Sequence, residues 1–107
     1  MLINGESLTE ATRLIEKASR LRPNDAAIAD SLGFALLKAG HVDKAIPILE
    51  RAAQNEPAIP EIGEHLGDAY WAAGRRIDAR YAWSAALIQS DGDDAKRISG
   101  KIDLGLR

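Results

Sequence analysis

His41 and His65 are the only histidines in this chain, and it contains no cysteine. A zinc site needs three or four converging His, Cys or carboxylate ligands. Neither histidine has ligands at such spacing, so neither a metal nor a cofactor is expected. Ser31, Ser84 and Ser99 have no His and carboxylate that helical periodicity would bring beside them, so a nucleophilic triad is not expected. Glu61, Glu64 and Asp68 cluster at helical spacing, and His65 falls on an exposed flank near the first two. On a convex helix face in water these carboxylates lack the desolvation that acid–base work requires. The stretch "SDGDD" is acidic and would repel phosphate rather than cradle it. The expectation is a protein that is not an enzyme.

The bulk properties agree. Of 107 residues, 46% are apolar and only 5% aromatic. The β-branched and aromatic runs that mark strands are missing, so an all-α chain is expected. Formal charge is −2, with 14 basic and 16 acidic residues spread along the sequence. There is no basic cluster to attract nucleic acid. Apolar runs are too short to cross a bilayer, and "MLINGESL" does not read as a secretion signal, so no membrane partner is expected. A cysteine-free chain suits the cytosol and the periplasm equally.

Residues 26–59 and 60–93 align without a gap. Ile28/Ile62, Leu32/Leu66, Gly33/Gly67, Ala35/Ala69, Ala39/Ala73, Gly40/Gly74, Ala45/Ala79 and Ala52/Ala86 are identical pairs, all separated by the interval from position 26 to position 60. One step earlier, Ala11, Ala18 and Pro23 precede Ala45, Ala52 and Pro57 by the same interval. Only the second half of that earlier unit is present. A fixed period of this length is the mark of a stacked repeat.

These residues resemble the tetratricopeptide repeat (TPR) family, whose unit of the same length is a pair of antiparallel helices. The family pattern has a Leu-Gly pair and an aromatic in the first helix, then small, aromatic and small residues in the second, and a closing Pro. Leu66, Gly67, Tyr70, Ala79, Trp83 and Ala86 follow it, with Asp91 in the proline slot. Leu32, Gly33, Leu36, Ala45, Leu49, Ala52 and Pro57 follow it with aliphatics for aromatics. The family's early Trp is Ala29 or Gly63 here. The wording of 66–87 also resembles the final repeats of longer bacterial multi-TPR proteins. The resemblance implies a right-handed α-solenoid forming one domain over 1–107. It comprises the second helix of a truncated repeat at 7–22, repeats at 26–59 and 60–93, and a capping helix at 92–105.

Six helices are expected. Helix 1 covers about 8–21, opened by a capping box between Ser7 and Glu10, with Leu8, Ala11, Leu14, Ile15, Ala18 and Leu21 as its apolar stripe. Asn24 or Asp25 caps helix 2, and Gly40 stops it. Helix 3 covers about 42–54 and holds Pro47, which predicts a bend or a loosened first turn. His41 helps to begin it. Pro60 starts helix 4, and Gly74 ends it. Helix 5 covers about 76–89. Gly33, Gly67, Ala45, Ala79, Ala52 and Ala86 are small where helices approach closely. In 92–105, capped by Ser90 or Asp91, Ala95, Ile98 and Ile102 form a narrow stripe, with Lys96, Arg97, Lys101 and Asp103 off it. That pattern suits the solvating cap of a repeat stack, fraying beyond about 103. Helix 1 lacks the helix that would precede it in its unit. The chain therefore reads as a cut-out from a longer array, with a natural short protein starting at Met1 as the alternative. A cut-out would leave the apolar side of helix 1 open to a second copy, as a weak homodimer.

Adjacent helix residues point about 100° apart, so Tyr70 and Trp71 cannot share one stripe. Ile62, Leu66, Ala69, Tyr70 and Ala73 form the core stripe of helix 4, matching Ile28, Leu32, Ala35, Leu36 and Ala39 of helix 2. The other face carries Glu61, Glu64, Asp68, Trp71 and Arg75 on helix 4, and Ala27, Asp30, Phe34, Leu37 and Lys38 on helix 2. First helices line the inner groove of a TPR stack, so the resemblance makes this face a floor for a partner peptide or helix. Phe34, Leu37 and Trp71 would be its apolar centre, ringed by Asp30, Glu64 and Asp68. Two other readings stay open: Trp71 covers the capping helix or an absent neighbour, and the acidic ring is a solvated helix face. TPR domains that clamp a chaperone's terminal carboxylate use Lys, Asn and Arg on this face. Asp30, Phe34, Glu64 and Asp68 stand there instead, so a partner with apolar and basic residues fits better. The alternative function is a structural, self-associating segment that docks other parts of a longer repeat protein.

Overall fold

The structure, a computed structural model, describes residues 5–106, with side chains described for 10 and for 12–106. All regular structure among the described residues is α-helical: α1 (Gly5–Leu21), α2 (Ala26–Lys38), α3 (Val42–Asn55), α4 (Pro60–Ala72), α5 (Arg76–Ile88) and α6 (Gly92–Leu104). Each helix packs on the next in sequence, and α2 also touches α4. The radius of gyration is 13.6 Å, close to the roughly 13 Å of a compact domain of this length.

Local chemistry sets the helix ends. The Asp25 carboxylate accepts from the Ile28 N–H at 3.1 Å and caps α2. At the far end Gly40 has φ of 88°, with Gly40 N–H donating to Leu37 O and His41 N–H to Leu36 O. This Schellman geometry recurs at Gly74, where φ is 81° and the donors reach Trp71 O and Tyr70 O. Pro60 occupies the first turn of α4, where its missing N–H costs nothing. His41 is the N-cap of α3 through its backbone only; its carbonyl accepts from the Lys44 and Ala45 N–H groups.

Three expectations need adjustment. Helix α1 begins at Gly5 rather than near 8, which puts Ser7 inside the helix. The capping box and the packing of Leu8 and Ala11 rest on side chains outside those described. Helix α3 runs unbroken through Pro47, whose ring lies on an exposed position. The first turn is kept, since the Ala45 N–H donates to His41 O, and Pro47 removes only the bond that its own N–H would make to Asp43 O. Finally, Ala39 and Ala73 close their helices as C-caps and are exposed, so the core stripes end one position earlier.

The core has two main clusters. Leu32, Leu36, Ala45, Ile46, Leu49, Leu66 and Ala69 join α2, α3 and α4. Ala79, Trp83, Ala86 and Ile98 join α5 to α6, with Trp71, Ile102 and Leu106 against them. Close approach explains the small residues. A Cβ on Gly33 would lie 2.5 Å from Leu49 Cγ, and one on Gly67 would lie 2.3 Å from Trp83 Cδ1. Tyr70 is half-buried and touches both clusters; its hydroxyl donates to Glu50 on α3. Desolvation first, then that carboxylate, pushes its pKa up to about 12.

Candidate functional site

The face singled out in the sequence is built by α2 and α4, and α6 lies across part of it. Glu64 and Asp68 are one turn apart on α4. Arg97 and Lys101, one turn apart on α6, reach back to them. The Arg97 guanidinium donates from both Nε and Nη2 to Glu64, each at 2.8 Å. Lys101 Nζ lies 2.8 Å from Glu64 Oε2 and 3.0 Å from both Asp68 oxygens. The buried Trp83 indole donates to Glu64 O at 3.2 Å and to Asp68 Oδ1 at 3.1 Å.

The expectation that these carboxylates face water therefore holds for Glu61, which is exposed, and fails for Glu64, which is 4% exposed. Asp68 is largely covered too. A charge is tolerated in such a place only when paired and hydrogen-bonded. The bidentate Arg97 bonds outweigh the cost of burial and, with Lys101, hold the Glu64 carboxyl down to about 2. An acid so stabilised, with both oxygens occupied, is a poor proton acceptor.

Asp30 is also buried, 6% exposed, and its Oδ1 lies 2.8 Å from His65 Nδ1. His65 is thus not on an open flank. Its ring stacks on Phe34 with centroids 4.2 Å apart, and Lys38 Nζ lies 5.1 Å from the Phe34 centroid. Burial opposes charge on His65, but the Asp30 bond and the nearby Asp30, Glu61 and Asp68 charges overcome it and raise its pKa.

Trp71 takes the covering position. Its ring stacks on Trp83 with centroids 5.7 Å apart, and Arg76 and Arg80 lie over it at 4.7 and 5.2 Å. The Gly105 backbone, in the left-handed region with φ of 73°, comes so close that a Cβ there would sit 2.2 Å from the indole. Arg80 Nε also donates to Ile102 O at 3.0 Å. Trp71 therefore closes the α4–α5–α6 junction. Arg75 is exposed beside Tyr70, 4.4 Å from its ring centroid, and pairs with Asp78 at 2.8 Å.

The nine site residues thus fall into three sets. Arg75 is not on α4, which ends at Ala72, but is the N-cap of α5, paired with Asp78. Asp30, Glu64, Asp68 and Trp71 are engaged in contacts between α2 and α4 or between α4 and α5–α6. Phe34 and Leu37 are half-buried, and Lys38 and Glu61 are exposed, so these four still offer surface. Sequence reasoning missed Arg97, Lys101, His65, Arg76 and Arg80 as partners. A signal existed for the first two: their spacing along the helix matches that of Glu64 and Asp68. Among the described residues, no group of three or more His, Cys, Asp or Glu side chains converges to hold a metal ion, and no helix is long and apolar enough to cross a membrane. No family model and no curated protein matches the chain.

Proposed function

We propose that this chain is a TPR-type helical repeat and works as a non-enzymatic protein–protein interaction module. The observation that carries the reading is the recurrence of whole helices at the sequence period. Both bounds of α4 lie one full period after those of α2, and α5 starts one full period after α3. The Schellman ends at Gly40 and Gly74 repeat at that interval, as do the seats of Leu49 on Gly33 and Trp83 on Gly67. Gly63 faces Ala86 while Gly67 faces Trp83, so the order along α5 runs opposite to that along α4. This supports antiparallel pairing within a unit and the solenoid reading.

The partner lies on Phe34, Leu37, Lys38 and Glu61, the part of the inner face that α6 leaves open. An apolar side chain packs on the Phe34–Leu37 pair, and a basic one meets Glu61. The binding energy of such a contact concentrates in the few buried apolar anchors, and the exposed charge selects among partners. Selection from a displayed peptide library tests this. The expected result is enrichment of peptides with apolar and basic residues, reduced about tenfold or more by Glu61→Lys with helicity unchanged. Equal enrichment by that variant would overturn the proposed polarity of the face.

A second reading rests on α1. Leu14 and Leu21 are 63% and 74% exposed, and Leu14, Ile15 and Ala18 form a groove with Ile28. That face suits a structural role, docking another helix of a longer repeat protein or a second copy.

A further inference from the structure

The α2–α4 and α4–α6 contacts follow one plan with different chemistry. In each, a buried carboxylate meets nitrogen on the neighbouring helix. Asp30 Oδ1 lies 2.8 Å from His65 Nδ1, and Glu64 accepts two bonds of 2.8 Å from Arg97. Asp30 and Glu64 hold the same place in the period and are 6% and 4% exposed. The Arg97 guanidinium is always charged. Histidine is the side chain that ordinarily gains and loses its charge near neutrality. One contact is therefore fixed in charge, and the other can titrate.

We propose that His65 and Asp30 form a pH-sensitive latch between α2 and α4 that holds the Phe34 ring, closed while the imidazole is protonated and loosened when it is neutral. A neutral imidazole keeps the hydrogen bond through Nδ1–H but supplies no charge. The buried Asp30 carboxylate is then left without a cation at its bonded oxygen. The His65 ring also stacks on Phe34, with centroids 4.2 Å and planes 22° apart. A cation over that π face is attracted to it, and the neutral ring loses the attraction. The surrounding charges are set for a proton. From α2, Asp30 faces His65, and Lys38 stands 5.1 Å from the Phe34 centroid. On α4 itself, Glu61 and Asp68 lie one turn to either side. The α6 cations Arg97 and Lys101 are held by Glu64 and Asp68. Burial opposes the proton, but Asp30, Glu61 and Asp68 outweigh it and raise His65 above its ordinary 6.5. The stabilisation is then complete below 6.5 and is lost as pH rises through the folded value. As regulation of a bound partner the latch rests on the peptide-binding reading, in which Phe34 is an anchor. Its test uses no peptide, so the two can fail separately.

Phe34 is the only phenylalanine in the chain, so incorporated 4-fluorophenylalanine gives one fluorine resonance. His41 is exposed and caps α3 through its backbone alone, so His41→Gln leaves His65 as the one histidine. In that background, NMR follows the imidazole protons and the Phe34 fluorine from about pH 5 to about pH 9. The expected result is that both titrate together, with a midpoint above 6.5. Asp30→Asn keeps the shape of the contact and removes its charge, so it should lower the His65 midpoint, with the Phe34 signal following. Urea unfolding gives a second measurement against His65→Asn, which offers a neutral N–H near the place of Nδ1. The stability advantage of His65 should be largest below pH 6.5 and shrink as pH rises through the measured midpoint. A midpoint at or below 6.5, a Phe34 signal that does not follow it, an unchanged midpoint in Asp30→Asn, or an advantage independent of pH overturns the proposal. The first two outcomes need no change at the latch, so they decide the matter even if Asp30→Asn does not fold.

Discussion

Glu64 shows how one residue can change meaning once its neighbours are known. As part of an acidic ring it suggests a site for a basic partner. In the fold the molecule supplies that base itself, through Arg97 and Lys101. Folding holds the Glu64 carboxyl at about 2, below its ordinary value of 4.5. A depressed carboxylate contributes stability that is complete above the unfolded value and disappears as pH falls through the folded one. Arg97 is the largest cause of that depression, although its own side chain is half exposed, which moderates the effect. Arg97→Ala should cost about 1–2 kcal/mol at neutral pH. It should also move the acid unfolding limb upward, and the difference from wild type should vanish near pH 2. Urea titrations between pH 7 and pH 2 measure this. An unchanged acid limb would mean that the ion pair contributes nothing to folding.

At the scale of the helix, two glycines separate packing from propensity. Gly67 lies under the Trp83 indole, so Gly67→Ala should overpack the α4–α5 contact and cost about 1–3 kcal/mol or more. Gly100 lies within α6 with open space around its Cα, so Gly100→Ala should stabilise by about 0.5–1 kcal/mol. Thermal melts of the two variants should shift in opposite directions; a shared direction would contradict the packing. The helices themselves are legible in the sequence, because Asp25, Gly40, Pro60 and Gly74 act through neighbouring backbone atoms. The small residues at Gly33 and Gly67 are legible because the period puts both at one contact. The site is less so. Periodicity places Arg97 and Lys101 off the apolar stripe of α6, which reads as solvation. Only the side-by-side placement of α4 and α6 shows that these long side chains lie along the acidic face. Trp71 is ambiguous for the same reason: a helix face names a direction but not the neighbour that fills it.

For the whole molecule, the same device joins α2 to α4 and α4 to α6. A buried carboxylate on one, Asp30 or Glu64, takes a cation or an acidic-flanked histidine from the next, namely Arg97 or His65. Asp30 and Glu64 stand one period apart, so the connection repeats with the fold. Asp30, Glu64 and Asp68 are thus engaged in contacts between helices, and under the proposed function recognition falls to Phe34, Leu37, Lys38 and Glu61, which keep exposed surface. Amide chemical-shift mapping, with a peptide enriched by the library selection titrated into labelled protein, tests this division most directly. The largest shifts should fall on α2 around Phe34–Lys38 and on the first turn of α4, with α6 and the outer face of α5 little changed. Shifts centred on Arg97 and Lys101, or on Ile77 and Tyr81, would contradict it.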